Sequence, residues 1–357
     1  MLGCARRKSE QAHLSTCWIP DRRGAACMSA QDLAAVNSAA IEESNSKADS
    51  AAPAGVPVID YEGSGYRRDF WEGQGREYED AVERIALKRL LPPQGGRIAE
   101  VGAGFGRLAD LYLGYDQIVL FDYSRTMLAD AVHRWGHDPR FVFVAGNLYQ
   151  MPLAAGTLDA LVMVRVMHHL ADVPAALAQL QPLLHQRSTA VLEYANKRNL
   201  KAVLRWLTRR QQWSPFDRAP LEFVAMNFDF HPGWMAAKMK NAGLRVDERI
   251  GASHFRLPTL KRTLPARLLA RLDSRLFHLG GRFPLAPSVF VRAAAPGPAD
   301  RPQSEVGLGE VDPAQLFRCP SCAAHPLAAL GPSQLQCPSC ARKYEQTDRI
   351  WDFKLPA

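Results

Sequence analysis

Apolar residues along the middle of this chain fall into short strand-length runs separated by longer helical stretches. The runs begin in Arg97-Ile-Ala-Glu-Val101 and recur at Gln117 to Phe121, Phe141 to Ala145, Leu158 to Val164, Thr189 to Tyr194, Leu244 to Ile250 and Ser288 to Arg292. Runs that are apolar almost throughout suit strands covered on both faces. Helices are expected up to about Leu91, directly after the first strand from Arg107 to Leu113, then over Pro174 to Leu184 and Pro232 to Ala242. Strand and helix in alternation predict an α/β fold with a doubly wound sheet.

Two stretches exceed what plain connections need, near 195–231 and 251–287, and are expected to cap the pocket. In the first, apolar residues recur from Leu200 at 203, 204 and 207, while Lys201, Arg205 and Arg209 recur every fourth residue. The second repeats this arrangement, with Leu268, Leu272 and Leu276 opposing Arg267, Arg271 and Arg275 after Pro265. Such helices are either ordinary surface helices with solvated charges or a basic rim that attracts phosphate, from RNA or from an anionic membrane surface.

The first strand runs into Gly102-Ala103-Gly104-Phe105-Gly106. Glycines there let the backbone approach a ligand with no Cβ in the way. A dinucleotide-binding loop needs its third glycine at 107, where Arg107 stands, so that fingerprint fails by one position. Asp122 closes the second strand, the position of a ribose-binding carboxylate in a doubly wound sheet. The alternative is a loop that merely turns a strand into a helix.

The series EVGAGFG, LFDYS, AGNLYQMP and LDALVMVRVMHHL resembles the class I S-adenosylmethionine-dependent methyltransferases, most closely the quinone-biosynthesis-like, type 11 branch. It covers residues 58–296. The resemblance implies a doubly wound, seven-stranded Rossmann-like methyltransferase sheet, with the seventh strand antiparallel at the edge beside the sixth. It implies that Glu100, Gly102 and Gly104 line the methionine part of S-adenosylmethionine and that Asp122 accepts from the ribose hydroxyls. It further implies that Tyr123 lies beside adenine, with Asn147, where the family usually has Asp, accepting from the adenine amino group; Ala103, Gly106 and Leu148 complete the expected cofactor-binding set. Arg165 would close the pocket. Tyr66 and Arg76, at the opening of the first long helix, are additional candidates for cofactor contact.

Methyl transfer needs an acceptor held in line and water excluded, and a base only for some acceptors. His168 and His169 follow the fourth strand, so either could take a proton from a hydroxyl; paired histidines there can also simply cap and pack the next helix.

Cysteines divide the chain. Cys4, Cys17 and Cys27 lie near the start, none falls between 28 and 318, and Cys319-Pro-Ser-Cys322 and Cys337-Pro-Ser-Cys340 stand at the end. Two such knuckles fourteen residues apart match a four-thiolate structural zinc site, Cys319, Cys322, Cys337 and Cys340, against redox use of a single pair. Residues 316–353, within an expected domain 315–357, resemble the small zinc-ribbon proteins that activate eukaryotic RNA and protein methyltransferases as separate subunits, although Arg349 and Trp351 stand where that family usually has Gly and Pro. A small C-terminal zinc-ribbon domain is therefore expected, with zinc supplying most of its stability. Residues 297–314, rich in Pro, Gly and Ala, read as a linker.

The 357 residues, 47% of them apolar, allow a sizeable core, and the formal charge is +8. No run of about 18 apolar residues exists and the first 28 residues hold no apolar signal core. Residues 1–57 read as disordered, and the location expected is cytoplasmic, at most membrane-peripheral. The expected activity is S-adenosylmethionine-dependent methylation of a small-molecule or lipid-like acceptor. An RNA or protein methyltransferase and a non-catalytic cofactor-binding scaffold are the alternatives.

Overall fold

The structure, a computed structural model, describes residues 56–71, 73–295 and 312–355, without the side chains of Tyr66 and Phe70. Most of the expected disordered segment 1–57 and of the linker 297–314 lies outside the described residues. In chain order the elements begin with α1 (Tyr66–Phe70), α2 (Glu77–Leu90), β1 (Gly95–Val101), β2 (Tyr115–Asp122), α3 (Arg125–Trp135), β3 (Phe141–Ala145), β4 (Leu158–Met163), α4 (Val173–Leu180) and β5 (Leu184–Ala195). They continue with α5 (Leu200–Leu207), β6 (Leu221–Val224), β7 (Asn227–Asp229), α6 (Pro232–Asn241), β8 (Arg245–Ala252), α7 (Pro258–Thr263), α8 (Ala266–Arg282) and β9 (Ser288–Ala294). After the gap come α9 (Pro313–Leu316), β10 (Ala328–Gly331), β11 (Gln334–Gln336), β12 (Lys343–Thr347) and β13 (Ile350–Asp352).

One sheet carries all but β6 and β7, in the order β10-β11-β12-β13-β3-β2-β1-β4-β5-β9-β8. Strands β1 to β5 run parallel, while β9 is antiparallel to both β5 and β8. The seven expected strands are thus present, with two corrections. The last of the seven, β9, lies inside the sheet and β8 forms the edge. Burial explains the order: Val289, Phe290 and Val291 are buried in succession, whereas β8 exposes Arg245 and Asp247 in the charged pattern of an edge strand. Nor does the sheet stop at seven. Strand β13 pairs parallel with β3, setting Trp351 beside Val144, so the cysteine-rich segment extends the sheet to eleven strands.

The helix expected over Arg107 to Leu113 is a short 3₁₀ turn, Ala109–Tyr112. The chain must re-enter the sheet at Tyr115, which leaves too little length for an α-helix with its loops.

Apolar residues fill both faces of the sheet. One cluster joins Val101, Val119, Met163 and Leu177 to Phe317, Trp351 and Phe353 of the C-terminal segment; the other joins α2, α3 and α8 to the opposite face. Helix α8 is therefore a layer of the domain rather than a cap over the pocket. Its buried face is Leu269, Ala270, Asp273, Phe277, Gly280 and Gly281, and a Cβ at Gly281 would fall 2.0 Å from the Arg249 carbonyl oxygen. That close approach on β8 turns Leu268 outward, beside the arginines it was expected to oppose.

Candidate active site

The carboxyl ends of β1 to β4 converge on a cleft enclosing about 1010 Å³ of empty space, its open mouth included. Gly102, at φ +74, makes the bend that ends β1, and a Cβ there would come within 2.1 Å of Val166 Cγ2, so no other residue fits. Two residues on, the Gly104 N–H donates to Asp122 Oδ2 at 2.7 Å. The second oxygen of Asp122 accepts from the Ser124 N–H at 2.9 Å. Burial raises the Asp122 pKa, against the pull of the Ser124 and Gly104 amides.

Glu100 forms the buried wall of the cleft at 3% exposure, and its Oε2 has no hydrogen-bond partner among the described residues. Burial lifts its carboxyl to about 8, with Arg107 opposing. A buried acceptor without a donor is a natural seat for a ligand N–H or cation.

Arg165 stands at φ +60, an uncommon conformation for a side chain. Its N–H donates to Glu193 Oε2 at 2.9 Å and its guanidinium contacts Glu83 Oε1 through Nε at 2.6 Å. Glu83, 2% exposed, also accepts from Arg107 Nη2 at 2.6 Å. Burial pushes the Glu83 pKa up, but Arg165 and Arg107 outweigh it and hold the carboxyl at about 2. The Trp71 ring receives Arg107 at 3.9 Å, Arg165 at 5.1 Å and Arg76 at 5.6 Å. This cluster was not anticipated. Its one trace in the sequence is that Glu83 sits within the apolar stripe Tyr78, Val82, Ala86 and Leu90 of α2, where a charge requires a partner.

His169 lines the cleft and His168 does not. Their rings lie 3.9 Å apart. His169 Nδ1 is 3.1 Å from the Met226 carbonyl oxygen; a carbonyl only accepts, so Nδ1 carries the hydrogen and Nε2 keeps its lone pair. That Nε2 faces the Tyr61 hydroxyl at 3.4 Å. Burial lowers the pKa of both rings, with the neighbouring imidazole adding to the effect on His168.

Of the residues expected at the cofactor, the cleft brings together Glu100, Gly102, Ala103, Gly104, Asp122, Tyr123, Leu148 and Arg165. Others lie off its lining. Gly106 accepts through its carbonyl from the Trp135 indole N–H at 3.0 Å. Asn147 spends Oδ1 on the Tyr149 N–H at 2.9 Å, capping a turn. Arg76 lies over Trp71 rather than in the cleft. The side chain of Tyr66 lies outside the described residues. Among the described residues the lining comes from 57–170. The inserted segment 195–231, expected as a cap, reaches the edge only through contacts such as Met226 with His169.

At the other end of the sheet the sulfurs of Cys319, Cys322, Cys337 and Cys340 lie within 4.8 Å of one another. Cys319 and Cys340 are 3.6 Å apart, Cys322 and Cys337 3.4 Å. The Tyr344 hydroxyl stands 3.0 Å from Cys319 Sγ. The segment is fixed to the sheet by more than β13. Arg318 donates to the Met151 carbonyl at 2.9 Å, and Arg125 pairs with Asp352 at 3.1 Å. Just beyond β13, Lys354 Nζ lies 5.2 Å from the centre of the Tyr123 ring and 3.8 Å from Glu62, so this segment reaches the rim of the cleft.

Residues 99–192 match the methyltransferase domain family. The chain is a methyltransferase. No curated protein matches the sequence. Among solved structures it is similar to an S-adenosylmethionine-dependent methyltransferase from Thermotoga maritima, at 18% identity over 64% of this chain and 93% of that one, TM-score 0.45. It is also similar to a chain from the complex between the Haloferax volcanii Trm112 methyltransferase activator and a methyltransferase, at 16% identity, 63% and 95% coverage and TM-score 0.45. Magnesium protoporphyrin IX methyltransferase from Synechocystis is a third, at 14% identity, 64% and 92% coverage and TM-score 0.43.

Proposed function

We propose that the cleft binds S-adenosylmethionine and that the enzyme methylates a small or lipid-like acceptor bearing a hydroxyl or comparable nucleophile. The observation that carries the reading is the pairing of two carboxylates across one glycine bend: Glu100, buried with an unpartnered oxygen, and Asp122, held by the Gly104 N–H. When bound, the sulfonium supplies a methyl group already activated for transfer. Glu100 would accept from the amino group of the methionine part, and Asp122 from the ribose hydroxyls. Tyr123 and Leu148 would flank adenine, with Lys354 over the outer face of Tyr123. Arg165, fixed by Glu83 and by its own N–H on Glu193, would close the methionine end and keep water out.

Val166, Leu170, Tyr149 and Val58, which line the cleft together with His169, would form a largely apolar acceptor side. With its hydrogen on Nδ1, His169 would take a proton at Nε2 from an acceptor hydroxyl that displaces Tyr61. His168, set behind it, would act as packing.

The four cysteines would hold one zinc ion, since a tetrahedral site with Zn–S bonds of about 2.3 Å puts its sulfurs roughly 3.8 Å apart. The Tyr344 hydroxyl would orient Cys319 from outside the ligand set. Zinc there would be structural, keeping β13 folded against β3.

The test is turnover. Purified protein with methyl-labelled S-adenosylmethionine should label a small-molecule or lipid extract; label in RNA or protein instead would move the acceptor, and label in no fraction would leave a binding scaffold.

A further inference from the structure

Helix α5 presents its apolar face to solvent. At 100° per residue, Leu200, Leu204 and Leu207 share one narrow arc about 160° from Ala202, the one residue of the helix that is buried. Their exposures are 51%, 52% and 62%. The patch continues into the end of α8 and the turn after it: the Leu200 N–H donates to the Leu285 carbonyl at 2.8 Å, and Leu279 and Phe283 are exposed nearby in the chain, at 57% and 54%. Apolar surface gathered in this way is costly in water unless something covers it.

Cations border the patch. Lys201 and Arg205 lie on one flank of α5, about 60° and 100° round from Leu204, Arg209 and Arg210 follow the helix, and Arg275 and Arg282 lie on α8 beside Leu279; all are exposed. No acidic residue occurs from Lys197 to Phe216 or from Arg275 to Pro287. Lys201 titrates below its ordinary value, through partial burial and then the charge of Arg205, as expected of cations without carboxylate partners. Helix α5 follows the carboxyl end of β5, the edge on which the cleft opens.

We propose that this face docks on an anionic phospholipid bilayer, with Leu200, Leu204, Leu207 and Phe283 entering the acyl boundary and Lys201, Arg205 and Arg282 meeting the headgroups. Leucines beside a one-sign cationic rim match an interface that is oily below and negative above. A nucleic acid would use the cations but leave the leucines in water, and the exposed aromatics beside them, Trp206 and Phe216, pack edge to face on each other at 5.5 Å rather than standing out as base-stacking platforms. The proposal does not depend on the identity of the acceptor.

Sedimentation of the full-length protein with phosphatidylcholine vesicles, with and without phosphatidylglycerol, tests it. Binding should require phosphatidylglycerol and weaken with salt. Replacing Lys201 and Arg205 by Gln should weaken it about 25-fold, each cation near the surface contributing about 1 kcal/mol. Leu204→Gln with Leu207→Gln should abolish sedimentation while leaving S-adenosylmethionine affinity by calorimetry as in the parent, which separates this surface from the cleft. Equal binding to neutral vesicles would overturn the proposal. So would a Leu204→Gln, Leu207→Gln protein that still sediments, cation-to-Gln variants that bind as tightly as the parent, binding of RNA in preference to vesicles, or a dimer in solution dispersed by Leu204→Gln.

Discussion

Gly104 donates its backbone N–H to Asp122 Oδ2 at 2.7 Å, joining the loop after β1 to the end of β2. The same carboxylate is the proposed acceptor for the ribose hydroxyls, so it both shapes the pocket and binds in it. Asp122→Asn keeps the size but loses the charge, and it sets an amide NH2 against one of the two backbone N–H groups that Asp122 accepts from. A hydrogen bond to a charged group contributes about 1.5–3 kcal/mol, so calorimetry should find S-adenosylmethionine affinity reduced on the order of 10- to 100-fold, with a lowered melting temperature as well. An unchanged affinity would remove Asp122 from the site.

Glu100 titrates at about 8 because it is buried, so at neutral pH without ligand it holds a proton. A cationic methionine group beside it favours the carboxylate, and binding should release that proton. Calorimetry at pH 7 in buffers of different ionisation enthalpy should show release of up to one proton, absent in Glu100→Gln. The sign also governs stability: a carboxyl raised from its ordinary 4.5 to about 8 stabilises the ligand-free fold at low pH and loses that contribution as pH rises through the folded value. Ligand-free protein should therefore melt lower at pH 8 than at pH 6 from this group, and Glu100→Gln should flatten that slope.

His169 is held neutral by burial, its pKa below the ordinary 6.5. With a hydroxyl acceptor, kcat should climb with pH only on the acid side of the ordinary imidazole range and be flat at neutrality. His169→Ala should cost about 10²- to 10⁴-fold in kcat if the ring is the base; a loss of only a few-fold, with the pH limb intact, would assign the ring to packing.

Metal removal should act on the whole domain, because β13 is a strand of the central sheet and Lys354 follows it at the rim of the cleft. Structural zinc in small domains is worth about 10–16 kcal/mol apparent, so chelation should unfold the cysteine-rich segment, bare the edge of β3 and lower the melting temperature by on the order of 10 °C. Cofactor affinity should fall with it. Lys354→Ala alone should weaken affinity only a few-fold, with the melting temperature kept.

Sequence by itself determined the strands and the chemistry that sits at their ends. Glycines at 102 and 104 and carboxylates at 100 and 122 are legible because strand length, loop and acidic residue follow one another within about two dozen positions, and the cysteine cluster is legible because two Cys-Pro-Ser-Cys pairs recur within one short segment, whose four sulfurs the fold gathers within 4.8 Å. Only the tertiary structure decided what distant segments do to each other. No local pattern says that Glu83 would hold Arg107 and Arg165 together, since the three come from different elements and meet only when α2 packs on the sheet. Nor could periodicity orient α5 and α8: an apolar stripe says that a helix has two faces, but which face is buried depends on what is opposite, and Gly280 and Gly281 settled that for α8 by admitting the backbone of β8. The joining of Trp351 to Val144 is of the same kind, because a strand's free edge bonds through its backbone and carries no side-chain signature of its partner.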